Sequence, residues 1–237
     1  MSKTKRFFRR IRFAEPVPGR VSAIQEKTML VIKRLLCVIC LFLFGTVAYA
    51  KEPCDTQLHY FLQKDDAQGS RVPYGDNASH GAYYQADDAR IYYETYGTGK
   101  TLLVLHGGGL GSPYEMGTLL DALQKRFRVV VVSTRGHGKS EIGHKPLSYE
   151  QKADDLLPLL KTMDTPAAVL GFSDGAYTAY KLAAMYPERV DRIVAIGAGT
   201  LKQNFFPDSV QIADLEKMDA RYMQQVRRLA REPERLQ

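Results

Sequence analysis

From residue 81 onward, the apolar positions of the chain form short runs that alternate between two kinds of pattern. Continuous runs rich in Val, Ile and Leu are typical of parallel strands that are covered on both faces of a sheet. Four such runs occur, at residues 101–105, 128–133, 167–170 and 192–196. Between and after these runs, apolar residues recur at three- and four-residue spacing, which predicts helices. The helices are expected at residues 114–125, 149–163 and 176–186. This alternation predicts an α/β fold built on a doubly wound, mostly parallel sheet.

The two ends of this alternating region have patterns of their own. Tyrosine-rich stretches at residues 81–85 and 90–96 flank the turn-forming pair Asp87-Asp88 and predict a β-hairpin. After residue 199, a helical stripe extends over residues 208–230 without another strand. We therefore expect the sheet to be incomplete on its C-terminal side, with strand 192–196 left as an unprotected apolar edge.

The composition is that of one ordinary globular domain with a basic N-terminal extension. Hydrophobic residues make up 45% of the 237 residues and charged residues 25%, so the chain can bury a single good core. The formal net charge is +7, but its excess lies in residues 1–50, and the remainder is close to neutral. No basic stripe interleaved with aromatic residues follows, which argues against nucleic acid as a partner.

Residues 29–50 have the order of an export signal. Lys33-Arg34 precede the apolar stretch 35–44, and Ala48-Tyr49-Ala50 follows it as a small-residue cleavage site. The apolar stretch is shorter than the ~20 residues that span a bilayer, which favours a removed signal peptide over a retained anchor. We therefore expect export to the periplasm or the medium after cleavage near Ala50, with only a transient contact with the membrane.

The other segment boundaries follow from changes in composition. Residues 1–28 are interpreted as a spurious leader upstream of Met29, with an unusually long signal that starts at Met1 as the alternative. Residues 51–80 are polar and rich in turn formers, which indicates a loosely ordered lead-in. Residues 81–200 then form the N-terminal part of the α/β core, and residues 201–237 form a helical extension.

The segment Gly171-Phe172-Ser173-Asp174-Gly175 has the pattern of a nucleophile elbow between a strand and a helix. A serine raised on such a tight turn needs small residues two places before and after it, because a Cβ at either place would clash across the turn. Ser173 is therefore the candidate nucleophile.

The segment His106-Gly107-Gly108-Gly109 follows the strand at 101–105 and places unhindered backbone amides beside a strand end. Such amides can stabilise the oxyanion of acyl transfer, and a second donor is the amide of the residue after the nucleophile. Gly108 and Asp174 are therefore the candidate oxyanion-hole residues. A phosphate-binding loop of a nucleotide enzyme is an alternative, although the chain has neither G-x-G-x-x-G nor a P-loop at this place.

A third motif at a strand end is Arg135-Gly136-His137-Gly138-Lys139-Ser140. The order H-G-G-G, then R-G-x-G-x-S, then G-x-S-x-G resembles the α/β-hydrolase superfamily. The pair Asp174-Gly175 resembles the valacyclovir-hydrolase-like ester hydrolases of that superfamily. The resemblance covers about residues 81–237.

The resemblance implies a mechanism and an organisation. Ser173 would act as the nucleophile on carboxylic esters and form an acyl-enzyme, while the amides of Gly108 and Asp174 hold the oxyanion. Residues 201–237 would begin a helical cap. The expected partner is a small-molecule ester.

The sequence departs from the family pattern in one respect. Family members carry an acid after a later strand and a histidine after the last strand, and a serine hydroxyl without a base is a poor nucleophile at neutral pH. All five histidines of the chain precede Ser173: His59, His80, His106, His137 and His144. We therefore expect that the sequence stops within the cap, is C-terminally truncated, and is inactive or impaired by itself. A non-catalytic hydrolase-like binding protein, or a fragment of one, is the alternative.

The remaining polar candidates have structural interpretations beside the functional ones. His106 and His137 are expected to stabilise their loops, and Asp154 and Asp155 to face solvent. Asp174 either binds a cationic group of the substrate or interacts favourably with the N-terminus of its helix. No group of residues at ligand spacing predicts a metal site, and no organic cofactor is predicted. The choice among ester, amide and carbon–carbon bonds and the oligomeric state stay open.

Overall fold

A computed structural model describes residues 57–199 and 212–236 of the chain. The predicted leader at 1–28 and signal peptide at 29–50 lie outside the described residues. The described residues fall within one compact unit, Asp55–Gln237. None of the helices in these two ranges is both long enough and apolar enough to cross a bilayer.

Within residues 57–199 and 212–236, six strands form one sheet, and their bounds lie close to the predicted ones. They are β1 (Gly81–Ala86), β2 (Ala89–Tyr96), β3 (Thr101–Leu105), β4 (Arg128–Val132), β5 (Ala167–Phe172) and β6 (Val190–Ile196). The strand order is β1-β2-β4-β3-β5-β6, and β2 alone runs against the others. The register in the centre pairs Leu103 with Val130 on one side and with Val169 on the other. The predicted mostly parallel α/β sheet and its hairpin are confirmed.

In the described ranges, five α-helices accompany the sheet. They are α1 (Gly117–Leu123), α2 (Tyr149–Lys161), α3 (Asp174–Met185), α4 (Ile212–Met218) and α5 (Ala220–Leu229). Ser148 caps α2 by accepting the backbone N–H of Gln151 at 3.1 Å. Of the stripe predicted as one helix over 208–230, the described residues 212–230 contain two helices, because Asp219 interrupts the stripe and caps α5 through the N–H of Tyr222.

The central strands are covered on both faces, as their continuous apolar runs predict. Leu103 of β3 joins an apolar cluster with Leu156 of α2. The next residue, Val104, points to the opposite face and joins a second cluster with Leu120 of α1. Successive side chains of a strand point to opposite faces, so an apolar residue is needed at every position.

Strand β6 does not have two covered faces, and this part of the prediction is wrong. Val194 is 49% exposed and Ile196 is 39% exposed. Within residues 57–199 and 212–236, β5 is the strand that pairs with β6, and the other edge of β6 has no partner strand. The expectation of an unprotected apolar edge is confirmed for the part of the chain that the structure describes.

Residues 57–80 of the lead-in contain neither strand nor helix, yet they are anchored to the core. Tyr74 is buried, and its hydroxyl donates to the Asp121 carboxylate at 2.8 Å. The buried carboxylate of Glu94 accepts the backbone N–H groups of Gly75 and Asn77, each at 2.7 Å. These contacts anchor the segment more firmly than its polar composition indicated.

A buried ion pair ties the loop after β4 to α2 and to the β1–β2 hairpin. The Arg135 guanidinium donates to both carboxylate oxygens of Asp155 at 2.7 Å, and to Asp88 at the same distance. Asp155 is only 3% exposed, so the expectation that it faces solvent is wrong. Its neighbour Asp154 is exposed, as expected.

The two adjacent aspartates provide a matched test of this pair. We expect Asp155→Ala to lower the free energy of unfolding by about 3–5 kcal/mol, because it leaves the buried Arg135 charge without its bidentate partner. Asp154→Ala removes an exposed carboxylate that accepts from the Tyr186 hydroxyl, and we expect a loss below about 1 kcal/mol. Equilibrium unfolding in urea measures both. Equal losses for the two variants would contradict the assignment of a structural ion pair to Asp155.

Candidate active site

Ser173 stands alone between the end of β5 and the start of α3, with φ 49° and ψ −114°. A non-glycine residue at positive φ costs on the order of 1–3 kcal/mol and persists only where its surroundings enforce it. Its N–H donates to the carbonyl of Ile196 at 2.8 Å, and its own carbonyl accepts the N–H of Ala176 at 2.9 Å. The side chain is partly exposed. The backbone therefore presents the hydroxyl at the carboxyl end of the sheet.

The glycines on either side of Ser173 occupy places where a Cβ does not fit. A Cβ at Gly171 would lie 2.3 Å from the carbonyl oxygen of Gly175. A Cβ at Gly175 would lie 2.4 Å from the carbonyl oxygen of Leu105 and 2.6 Å from that of His106. These neighbours are backbone atoms that cannot turn aside. The backbone around β3, β5 and α3 therefore excludes a Cβ at both glycines, as the G-x-S-x-G spacing predicts.

The segment after β3, residues 106–111, is called the glycine loop, and it lies against the first residue of α3. A Cβ at Gly108 would come within 2.7 Å of the Asp174 Cβ, so these two residues are in direct contact. Within the described residues, no hydrogen bond connects the backbone N–H of Gly108 or Asp174 to another group. Two backbone amides without internal partners thus belong to residues that contact each other, and one of them, Asp174, directly follows Ser173. Gly108 and Asp174 stay the candidate oxyanion-hole residues.

His106 and His137 connect the loops that surround this site. The buried His106 ring donates from Nδ1 to the Gly107 carbonyl at 2.5 Å and accepts the N–H of Thr134 at Nε2, at 3.1 Å. The protonation site is assigned from these two partners. Nδ1 of His137 lies 3.0 Å from the Arg135 carbonyl oxygen. Burial lowers the pKa of both rings. Both histidines have the loop-stabilising contacts expected of them.

No histidine of the chain hydrogen-bonds to the Ser173 hydroxyl. All five lie in the described ranges, and the ring hydrogen bonds found for His80, His106 and His137 go to other groups. Within the same ranges, no group of three His, Cys, Asp or Glu side chains could hold a metal ion. The described part of the site therefore contains the candidate nucleophile Ser173 and two unbonded backbone amides, without a side-chain base bonded to the serine hydroxyl.

The carboxylate of Asp174 already has a cationic partner, which sequence reasoning missed. Lys152 of α2 is buried and donates to Asp174 Oδ2 at 2.5 Å. The Lys152 ammonium also lies 5.5 Å from the centre of the Tyr149 ring. Burial and Asp174 together raise the pKa of Tyr149 to about 12. A substrate amine would have to share the Asp174 carboxylate with Lys152.

A second charged residue that sequence reasoning missed is Glu115, which follows the glycine loop on the short 3-10 turn Pro113–Met116. Its Oε1 accepts the backbone N–H of Gly107 at 2.5 Å. Burial raises the pKa of this carboxyl to about 7, against the lowering effect of the Gly107 hydrogen bond. A partly buried carboxyl with a near-neutral pKa beside the candidate oxyanion hole is a feature typical of functional sites.

Helix α5 covers the outer side of the glycine loop. The Tyr222 hydroxyl of α5 donates to the carbonyl of Leu110. Between the helix and the loop lies a small cavity of about 40 Å³ lined mainly by apolar groups, including Leu110, Val226 and Leu229. The helical extension therefore lies over the loop that carries Gly108.

The chain matches a known family. Residues 100–236, more than half of the chain, match the family described as alpha/beta hydrolase fold. The chain belongs to this family, and its sheet and helices form an α/β-hydrolase fold.

Curated relatives are similar over a limited part of their length. The uncharacterized hydrolase YraK of Bacillus subtilis is 34% identical over 45% of this chain and 40% of its own. A pimeloyl-[acyl-carrier protein] methyl ester esterase of Pectobacterium carotovorum is 32% identical over 46% and 42%. The serine hydrolase BPHL of Homo sapiens is 33% identical over 46% and 40%. The chain thus spans about two fifths of the length of the curated relatives that it matches.

The close backbone contacts of the elbow predict different outcomes at two glycines. We expect Gly175→Ala to lower the free energy of unfolding by at least about 1–3 kcal/mol, because its Cβ would overlap two backbone carbonyls. The control is Gly199→Ala, since no atom lies within 4 Å of a Cβ at Gly199. Urea unfolding followed by circular dichroism compares the two. A Gly175→Ala protein as stable as Gly199→Ala would refute the tight turn described here.

Proposed function

We propose that the protein is a serine hydrolase that cleaves carboxylic esters through an acyl-enzyme on Ser173. The observation that supports this most strongly is the strained positive φ of Ser173 beside the adjacent Gly108 and Asp174 amides. Backbone strain at such a position is typical of sites where a side chain is held ready to react. The choice of esters follows the sequence resemblance and the name of the methyl ester esterase among the relatives.

The chemistry proceeds in two steps. The Ser173 oxygen adds to the ester carbonyl, its proton passes to a base, and the amides of Gly108 and Asp174 stabilise the negative oxygen. The alcohol leaves with a proton, and the acyl group stays on Ser173. Water then adds to the acyl-enzyme and releases the carboxylic acid. Each amide donor contributes about 3 kcal/mol in well-studied oxyanion holes.

The proton acceptor is the part of this mechanism that no described contact supplies. The family resemblance implies a histidine after a later strand, whereas the five histidines of this chain make other contacts. We therefore expect the chain by itself to react slowly with esters. The same observation favours a second candidate function, a hydrolase-like protein that binds a small molecule without cleaving it.

Added imidazole provides a test, because it can replace a missing general base at a partly exposed serine. We expect imidazole to accelerate p-nitrophenyl butyrate cleavage by the full chain at least about tenfold more than by Ser173→Ala. Imidazole cleaves such esters in free solution as well, and the Ser173→Ala protein measures that background. Mass spectrometry of the quenched protein then locates the butyryl group, which we expect on Ser173.

The binding alternative gives the opposite result. Equal rates for the wild type and Ser173→Ala at every imidazole concentration, without acylation of Ser173, would remove the hydrolase proposal. Saturable stabilisation of the unreacted protein by an ester would then support a binding function, since a ligand of the native state raises its apparent stability.

Export is a separate proposal, which rests on the composition of residues 29–50. We expect the protein recovered from the periplasm or the medium of an expressing bacterium to begin at Lys51. N-terminal sequencing of that fraction, and of the cytoplasmic fraction as the control, checks this. Recovery of only the uncleaved chain in the cytoplasm would contradict it.

A further inference from the structure

The glycine loop is fastened at one residue from two sides. The N–H of Gly107 donates to Glu115 Oε1, and the carbonyl oxygen of Gly107 accepts from His106 Nδ1, both at 2.5 Å. A Cβ at Gly107 would lie 2.9 Å from Glu115 Oε1, so the carboxyl is packed directly against this residue. Gly107 is therefore restrained at both of its backbone polar groups.

This restraint determines the direction of the next amide. The carbonyl of Gly107 and the N–H of Gly108 belong to one peptide group, which is planar and trans. When the carbonyl oxygen is fixed, the N–H of Gly108 must point the opposite way. His106 fixes the carbonyl, and Glu115 fixes the other end of Gly107, so the two together set where the Gly108 N–H points.

The interior of the loop leaves little freedom for another arrangement. The N–H of Gly111 donates to the carbonyl of Gly108 at 2.9 Å and closes a turn. A Cβ at Gly111 would lie 3.2 Å from Glu115 Oε1. The Glu115 carboxyl thus packs against both ends of the loop that carries the candidate oxyanion donor.

Among the described residues, no cationic side chain pairs with the Glu115 carboxylate. In the described part of the chain, no salt bridge reaches this carboxylate. Two titratable groups lie close to this contact: Tyr222 of α5, whose pKa Glu115 affects, and His106, whose ring bonds to the Gly107 carbonyl. Glu115 contributes to the raised pKa of Tyr222, and burial keeps His106 neutral by lowering its pKa. Glu115 is thus the group among these whose charge changes near neutral pH.

The ionised form of Glu115 is costly for folding. Its pKa rises from 4.5 to about 7 in the folded protein. A group with a raised folded pKa contributes stability below the unfolded pKa, and that contribution is lost as the pH rises through about 7. If the role of residue 115 were purely structural, a neutral amide oxygen would be a better acceptor for the Gly107 N–H than a carboxylate. The carboxylate offers instead a hydrogen bond roughly twice as strong as a neutral one.

We propose that Glu115 is a positioning residue whose carboxylate, through Gly107, aims the Gly108 amide at the oxyanion formed on Ser173. This inference rests on the proposed hydrolase function and adds a residue that acts on the reaction through the backbone. It predicts that the oxyanion hole is strongest when Glu115 is ionised. We expect the ionisation of Glu115 to change kcat and not KM, because the oxyanion exists only in the transition state and intermediate.

The amide signals of the loop test the contact without any reaction. In the full chain labelled with ¹⁵N-glycine, we expect the Gly107 and Gly108 amide signals to shift with pH, with a midpoint near 7. The shift should disappear in Glu115→Gln, which keeps an acceptor oxygen and removes the charge. Glu188→Gln, at an exposed carboxylate on the turn Pro187–Arg189, is the control and should behave like the wild type. The wild-type titration needs no variant to fold.

The imidazole-assisted ester reaction tests the consequence. The ratio of the wild-type to the Glu115→Gln kcat is taken at each pH, so that the titration of imidazole cancels. We expect a ratio near one at pH 6 and about tenfold at pH 8.5, with KM unchanged. Urea unfolding at pH 8.5 should show Glu115→Gln at least as stable as the wild type, which a merely structural role does not predict.

Three results would overturn the inference: loop signals that do not titrate near neutral pH, a titration that persists in Glu115→Gln, or a kcat ratio that stays at one throughout. Failure of the hydrolase proposal looks different. In that case wild type and Ser173→Ala react equally at every pH. The Gly107 and Gly108 signals then still decide whether Glu115 controls the direction of the Gly108 amide.

Discussion

The close approach of α3 to the carboxyl ends of β3 and β5 is the constraint on which the site depends. Gly175 lies so near the carbonyls of Leu105 and His106 that a methyl group would not fit. With the helix start fixed there, the single residue that joins it to β5 has to turn sharply. Ser173 accordingly takes a positive φ, and Asp174 comes into contact with Gly108. The close approach of Gly175 to β3 thus accounts both for the sharp turn at Ser173 and for the position of the neighbouring amides.

Buried charges around the elbow keep the loops in place. The loop after β4 is held by Arg135 and Asp155, and the start of α3 by Lys152 and Asp174. Removing one partner of such a pair leaves an unpaired charge in a medium of low dielectric constant. This lowers the stability of the fold far more than replacing both partners does. Glu115 differs from these residues, since its partner is a backbone N–H and not a cation. Its charge therefore changes near neutral pH, because burial raises its pKa to about 7.

The sequence predicted the strands, the helices and the elbow because those features follow from local rules. A strand covered on both faces must be apolar at every position, and a tight turn needs glycine. The partners of charged residues are tertiary, so Asp154 and Asp155 could not be told apart by composition. A helical projection would have indicated that Asp155 is buried. It lies three residues after Lys152 and four before Leu159, on the buried face of α2. Strand β6 was misjudged because an apolar run does not reveal whether a covering layer is present.

Within the described residues, the proposed function separates two contributions that hydrolases normally combine. Amide donors and a strained serine are properties of the backbone, and the contacts that enforce them lie within residues 57–199. The general base is a side-chain property and can be contributed by a distant part of a chain. In enzymes that lose their triad, the oxyanion hole and substrate binding still accelerate the reaction by about 10³–10⁴ over water. Under the proposed function, the backbone contributions alone would therefore still favour reaction at Ser173, and the rate would depend on how well the Gly108 amide is aimed.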